Sequence, residues 1–241
     1  MTSIVAEQIR IEYPILQSTN RSLKRRFVST ATGGRIARDA RDHVVVTALD
    51  GVSFTIGAGE RVALVGHNGS GKTTLLRSIA GVYTPVSGSL HVQGTISSLF
   101  EISIGFDLEA TGRENVYLRG LVMGMTRADL TERMDGIRDF SGLGDYLDLP
   151  VRTYSSGMLL RLAFAVVTSM QRDIVLMDEW LSVGDAEFKV HAAARLREFV
   201  DRTAILILAT HSNEQAEKFC NRRIELNRGR IVNDEQIAGS Q

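Results

Sequence analysis

Ile4–Ile15 is largely apolar and broken by Pro14, which reads as a short strand or arm. Val44–Val46 and Val52–Ile56 alternate apolar and polar positions like strands, and Ala58-Gly59 is a turn signal before the next apolar run, Arg61–Val65. That run leads straight into a glycine-rich loop. Thr73–Ala80 then reads as a helix closed by Gly81. Gly88, Leu90–Val92 and Gly94–Leu99 suggest further short strands. From Thr126 the period becomes helical, with Thr126 and Asp129 at capping-box spacing. Gly157–Ser169 is a second helix, and Ile174–Met177 and Ile205–Ala209 are unbroken apolar runs of the kind that buried strands show. Strand, loop, helix and then further helix–strand alternation predict an α/β fold with a parallel core sheet. The early alternation adds an antiparallel part, and residues 112–170 form a helical insertion.

Composition narrows the classes. With 241 residues, 44% hydrophobic and 23% charged, the chain can build a full core. Lys+Arg and Asp+Glu balance at 28 each, so no overall field points to nucleic acid as a partner. Cys220 is the one cysteine, which excludes an internal disulfide and a cysteine metal cluster and fits a reducing cytoplasm; it reads as a packed thiol. No apolar run approaches the ~18 residues of a membrane-spanning helix. Glu7 and Arg10 interrupt the N-terminal run, so no signal-peptide core is expected. A chain of this kind is expected to be soluble and to reach a membrane only through a partner. One local exception stands out. Residues 18–42 carry Arg21, Lys24, Arg25, Arg26, Arg35, Arg38 and Arg41 against Asp39 and Asp42. Two readings stay open for this segment: a solvated loop, or contact with an anionic membrane surface or partner.

The chemistry begins at Gly66-His67-Asn68-Gly69-Ser70-Gly71-Lys72-Thr73, which satisfies G-x-x-x-x-G-K-[ST] and is followed by Thr74. Glycines let backbone N–H groups converge on phosphate oxygens, and the helix that follows points its positive end at them. Lys72 would neutralise β/γ oxygens, and Thr73 would place its hydroxyl on Mg²⁺. The run Ile174-Val175-Leu176-Met177 ends in Asp178-Glu179. A carboxylate at the end of a core strand lies where open α/β sheets bind ligands. Asp178 would hold Mg²⁺, and Glu179 could polarise an attacking water as general base. These residues lead to the expectation of a P-loop NTPase core, with ATP and Mg²⁺ as its ligands.

Tyr154-Ser155-Ser156-Gly157-Met158-Leu159-Leu160-Arg161 then resembles the signature of the ATPase subunits of ABC transporters (leucine-serine-glycine-glycine-glutamine), with Ser155 and Gly157 kept. A serine and glycine at a helix N-terminus make a second anion site. The resemblance implies that Ser155, Ser156, Gly157 and Met158 close over the γ-phosphate of a partner subunit. Ser182-Val183-Gly184-Asp185 resembles the family's D-loop, in which Asp185 would couple the two sites of a dimer. His211, after Ile205–Ala209, looks like the switch histidine that contacts γ-phosphate. Two places depart from the pattern. No glutamine falls at 100–102, and Glu101 is the nearest candidate for its role at Mg²⁺ or water. Where an aromatic residue commonly stacks on adenine, Val46 and Thr47 stand before Ala48-Leu49-Asp50.

The implied architecture is a P-loop core with a parallel sheet, an antiparallel β subdomain and a helical signature subdomain at about 112–170. Residues 1–42 form an N-terminal arm and basic segment, and 43–241 the ATP-binding domain. Ser-Ser-Gly-Met, Asp-Glu-Trp-Leu-Ser-Val-Gly-Asp and the Thr-Gly-Arg-Glu-Asn of 111–115 are similar to the polysaccharide-export branch. That branch moves lipid-linked O-antigen, capsule or teichoic-acid chains across the bacterial inner membrane. The resemblance implies a transmembrane permease and a second copy of the chain as partners, with the protein at the cytoplasmic face of that membrane. Other ABC importers or exporters, and soluble ABC ATPases, are the alternatives.

Overall fold

The computed structural model describes residues 1–14, 36–38, 44–100, 102, 105–179 and 186–237. In chain order the strands and helices are β1 (Ser3–Pro14), β2 (Ile36–Arg38), β3 (Val44–Gly57), β4 (Arg61–Val65), α1 (Lys72–Ile79), β5 (Ser87–Gln93) and β6 (Ile96–Ser98). There follow α2 (Gly112–Val122), α3 (Arg127–Ser141), α4 (Ser156–Val167), β7 (Ile174–Asp178) and α5 (Ala186–Asp201). The chain continues with β8 (Ile205–Ala209), α6 (Asn213–Phe219), β9 (Arg222–Asn227) and β10 (Arg230–Gln236). Their contacts divide the chain into two units. One holds Met1–Ile96, Leu176–Trp180 and Ala204–Gln241; the other holds Ser97–Val175 and Leu181–Thr203.

In the first unit, an antiparallel sheet runs in the order β2-β3-β1-β5. β1 is therefore an inner strand, hydrogen-bonded on both edges. Its apolar face changes phase along its length: Ile4 and Ala6 are buried, then Ile9 and Ile11. A register shift between Ala6 and Ile9 inserts the residues that switch the face. Gln8 has φ 49 there, with its backbone N and its Nε2 each donating to Ser53 Oγ at 2.8 Å. The runs at 44–46 and 52–56, which look separate in sequence, form the single strand β3, because Ala48 and Leu49 between them are also buried.

The second sheet has the order β10-β9-β4-β8-β7-β6. β4 is parallel to β8 on one side and to β9 on the other, and Val62, Ala63 and Leu64 are buried on both faces. This is why Arg61–Val65 reads as an almost continuous apolar run rather than an alternating one. β8 shows the same pattern, with all five residues buried.

The second unit is mainly helical. α2 and α3 each start with a full capping box: Thr111 with Glu114, and Thr126 with Asp129. Val116, Leu130, Met134, Ile137, Leu147, Leu162 and Val166 form its core. Gly120 allows α2 and α3 to approach closely, since a Cβ there would fall 2.2 Å from Leu130 Cδ2. Phe140, Phe164 and Phe188 form an aromatic cluster that joins α3, α4 and α5. No helix among the described residues is long and apolar enough to cross a membrane.

Candidate active site

The loop between β4 and α1 is held open by steric demands that glycine alone meets. Gly66 has φ 144, and a Cβ on it would lie 2.2 Å from Leu226 O. Gly71 has φ 116, and its Cβ would meet Leu49 Cδ2 at 2.8 Å. The backbone is thus pressed between β9 and β3, leaving the opposite side of the loop for a ligand. The turn between β9 and β10 secures it from behind: Gly229 N donates to Ser70 O at 2.7 Å, while Asp50 N donates to Gly229 O at 2.9 Å. His67 adds a side-chain tether, its ring nitrogens lying 2.8 Å from Asn68 O and 3.2 Å from Asn227 Oδ1. Asn68 and Gly69 are exposed at the tip, and Ser70 is buried.

α1 begins at Lys72 with Gly71 as its N-cap, with no side-chain cap and no acidic residue in its first turn. Its leading N–H groups and positive dipole end therefore face the loop without a competing carboxylate. The Lys72 side chain is mostly buried and curls back along the loop, donating to Gly66 O at 2.7 Å and His67 O at 3.3 Å. Thr73 Oγ1 donates to Asp178 Oδ2 at 2.6 Å. A hydroxyl and a carboxylate in contact are hard oxygen donors. They suit Mg²⁺, which takes few protein ligands and completes its shell with phosphate and water oxygens.

Beyond Asp178 the chain turns at Glu179, whose φ of 68 places a non-glycine residue in the left-handed region. Two backbone bonds hold the turn: Glu179 N donates to Ala209 O at 2.7 Å, and Thr210 N donates to Leu64 O at 3.0 Å. They tie the ends of β4 and β8 to the segment after β7. The buried Thr210 hydroxyl donates to Gln215 Oε1 at 2.8 Å and accepts from Ser212 N at 3.1 Å, which fixes the backbone on both sides of His211. His211 Nδ1 then donates to Glu179 Oε1 at 2.7 Å. Lys72, Thr73, Asp178, Glu179 and His211 are gathered in one unit at the ends of its strands, as ligand-binding residues of open α/β sheets are.

In the other unit, Ser155 is the N-cap of α4, its hydroxyl accepting from Met158 N at 3.2 Å. Ser156, Gly157 and Met158 make the first turn, again without an acidic residue. This is a helix end that tolerates an anion. Glu101 and Asp185 lie outside the described residues, as does nearly all of the basic segment at 18–42. Asn227 and Gly229, which hold the loop, belong to no motif, and their one local signal is the Asn-Arg-Gly turn at 227–229.

The sequence model of the ABC transporter family matches residues 49–182. The chain belongs to the ABC transporter family. Its cassette is 42% identical to the O-antigen export system ATP-binding protein RfbE of Yersinia enterocolitica, over 97% of this chain and 98% of that protein. It is 46% identical to the O-antigen export system ATP-binding protein RfbB of Myxococcus xanthus over 76% of this chain, and that match spans 42% of the longer relative. Among solved structures, the ATP-binding cassette MJ0796, a dimer in a post-hydrolysis state with ADP and Pi, superposes with a TM-score of 0.69. That superposition covers 98% of this chain and all of the other at 19% identity, so it speaks for the fold. The cassette is an α/β P-loop ATPase with a parallel sheet and a separate antiparallel one.

Proposed function

We propose that this cassette powers export of a lipid-linked polysaccharide of the O-antigen type across a bacterial inner membrane, as one of two copies bound to a membrane permease. The observation that carries this reading is the near full-length similarity to the Yersinia O-antigen export protein, in a chain that keeps a complete hydrolytic cluster.

ATP lies with its β- and γ-phosphates on the backbone N–H groups of 66–73 and on Lys72, which leaves its loop carbonyls for the phosphates. Thr73 and Asp178 would hold Mg²⁺, which would supply positive charge to offset that of the phosphate oxygens. Glu179 takes the proton of the attacking water, and His211, oriented by its bond to Glu179, stands beside the γ-phosphate. Ser155, Ser156, Gly157 and Met158 of the second copy close the other side, with Asp185 near the seam between copies. Glu101 is the nearest candidate for the role of the family's loop glutamine. The protein is peripheral, at the cytoplasmic face of the membrane, and its segment at 18–42 meets anionic headgroups or the permease.

A strain lacking its own O-antigen export system provides the test, when this chain is supplied together with an O-antigen permease. Surface polysaccharide returns with the wild type and not with Lys72→Ala. Restored uptake or drug efflux without surface polysaccharide would assign the cassette to another transporter. Reversing the charge of Arg25 and Arg26 lowers export and leaves ATP affinity unchanged if the segment meets lipid or permease; unaltered export would dismiss that contact.

A further inference from the structure

The helical unit carries a polar cleft of about 280 Å³ that the hydrolytic chemistry does not use. It opens where α4 runs out, between Arg133 of α3, the turn at 168–171, and Arg195, Glu198 and Arg202 of α5. α4 starts with the signature turn at Ser156 and is 12 residues long, so the cleft lies at its other end, roughly 18 Å away along the helix axis. Three arginines face one carboxylate there.

The negative end of α4 explains why cations gather at this point, and two of the three arginines do cap it. Arg133 Nη1 donates to Ser169 O at 2.7 Å, and Arg195 Nη2 donates to Thr168 O at 3.4 Å. Those bonds offset the charge of the helix end, yet each takes one nitrogen of a guanidinium that has five N–H groups in a flat fork. The ring of Phe140, with its centroid 5.2 Å from Arg195 Cζ, holds the Arg195 fork further in place. Asp129, one turn before Arg133, has its carboxylate engaged elsewhere, accepting from Thr126 N at 3.0 Å and Thr126 Oγ1 at 2.6 Å. Arg202 pairs with Glu198 on the exposed side of α5. Gln171 Nε2 donates to Arg202 O at 3.0 Å and ties the turn after α4 to the end of α5. Capping one helix end requires neither the third arginine nor an open cleft among the three.

We infer that this cleft is an accessory binding site for a small dissolved anion bearing phosphate groups. The arginine fork matches two oxygens of one phosphate, and the capping bonds hold two such forks in advance of the ligand. Arg202 joins them by exchanging Glu198 for a phosphate oxygen. The cleft falls just below the usual size of pockets for drug-sized ligands, which suits a compact anion rather than a whole nucleotide.

Inorganic pyrophosphate is the probe, titrated by calorimetry into the full chain carrying Lys72→Ala, which disables the phosphate loop. The buffer is metal-free and holds about 0.15 M NaCl, so that scattered surface charges are screened. One pyrophosphate per chain is expected. Arg133→Gln or Arg195→Gln, added to that background, should weaken it roughly 10-fold. Glu198→Gln should instead tighten it roughly 2- to 5-fold, because it removes the competing carboxylate and releases Arg202. That gain cannot come from a damaged fold, so the inference stays testable even where an arginine variant fails to fold. Absence of binding, an affinity untouched by the arginine variants, or no gain in Glu198→Gln would each overturn the site. Citrate binding more tightly than pyrophosphate would overturn its assignment to phosphate.

Discussion

Glu179 accepts a hydrogen bond from His211 Nδ1 at 2.7 Å, and it does so from a backbone with φ 68. A left-handed φ costs a non-glycine residue about 1–2 kcal/mol, and the backbone bond to Ala209 O holds it there. The strain aims a carboxylate at the ends of the parallel strands. Glu179→Gln keeps shape and removes the basic oxygen. ATP binding should persist while steady-state phosphate release falls by roughly 10²–10⁴-fold. Turnover equal to the wild type would remove Glu179 from the role of base.

The same geometry yields a stability test. Glu179→Gly relieves the left-handed strain at the cost of about 0.5–1 kcal/mol of added chain entropy, and the two effects nearly cancel. The variant should therefore lose turnover without losing thermal stability. A Tm lowered by many degrees would mean that the Glu179 side chain supports the fold through its bond to His211.

Thr73 and Asp178 share a short hydrogen bond across a wide sequence separation. Thr73→Ala removes one oxygen from the proposed Mg²⁺ site and leaves the phosphate loop intact. Its hydrolysis should need a much higher Mg²⁺ concentration, while Thr73→Ser behaves like the wild type. Identical Mg²⁺ titrations for wild type and Thr73→Ala would dismiss the hydroxyl as a ligand.

The parts of this molecule visible in the sequence are those with a local cause. Arg61–Val65, Ile174–Met177 and Ile205–Ala209 were recognisable as buried strands, because a strand covered on both faces has few polar positions to interrupt it. The box at Thr126 and Asp129 was legible because its reciprocal bonds span only three residues. β3 looked like two strands because Asp50 and Gly51 break the alternation, and only pairing with β1 joins the halves. Helices α5 and α6 and the β9–β10 hairpin went unread. Tyr13 gave no local sign of its place, since its contact with Thr74 depends on how β1 pairs in the sheet. Lys72, Asp178 and His211 were found singly by motif, and the hydrogen bonds joining Thr73 to Asp178 and Glu179 to His211 emerge only in the fold.

Gly229 shows what the unread hairpin does. Its φ is 78, and a Cβ there would lie 2.4 Å from Ala48 O, while its N and O bond to Ser70 and Asp50. Gly229→Ala combines left-handed strain with overpacking against backbone. Unfolding in urea should show a loss of about 2–4 kcal/mol, with weaker ATP binding at temperatures where the fold persists. A variant as stable as the wild type would mean that the hairpin shifts freely and does not clamp the loop.

Cys220 caps the C-terminus of α6 with 2% exposure, and burial pushes its thiol up to about 12 from an ordinary 9.0. A folded-state value above the unfolded one means that the neutral thiol favours the folded chain. This contribution is complete below about pH 9 and is lost as pH rises through about 12, at roughly 1.4 kcal/mol per unit. Urea unfolding between pH 8 and pH 10.5 should therefore show a steeper loss of stability for the wild type than for Cys220→Ala. At pH 8 a thiol reagent should leave the native chain unlabelled and label it rapidly in denaturant. Fast labelling of the native protein would place Cys220 on a surface that opens readily, and parallel pH profiles for the two chains would show that its thiol is not held neutral by the fold.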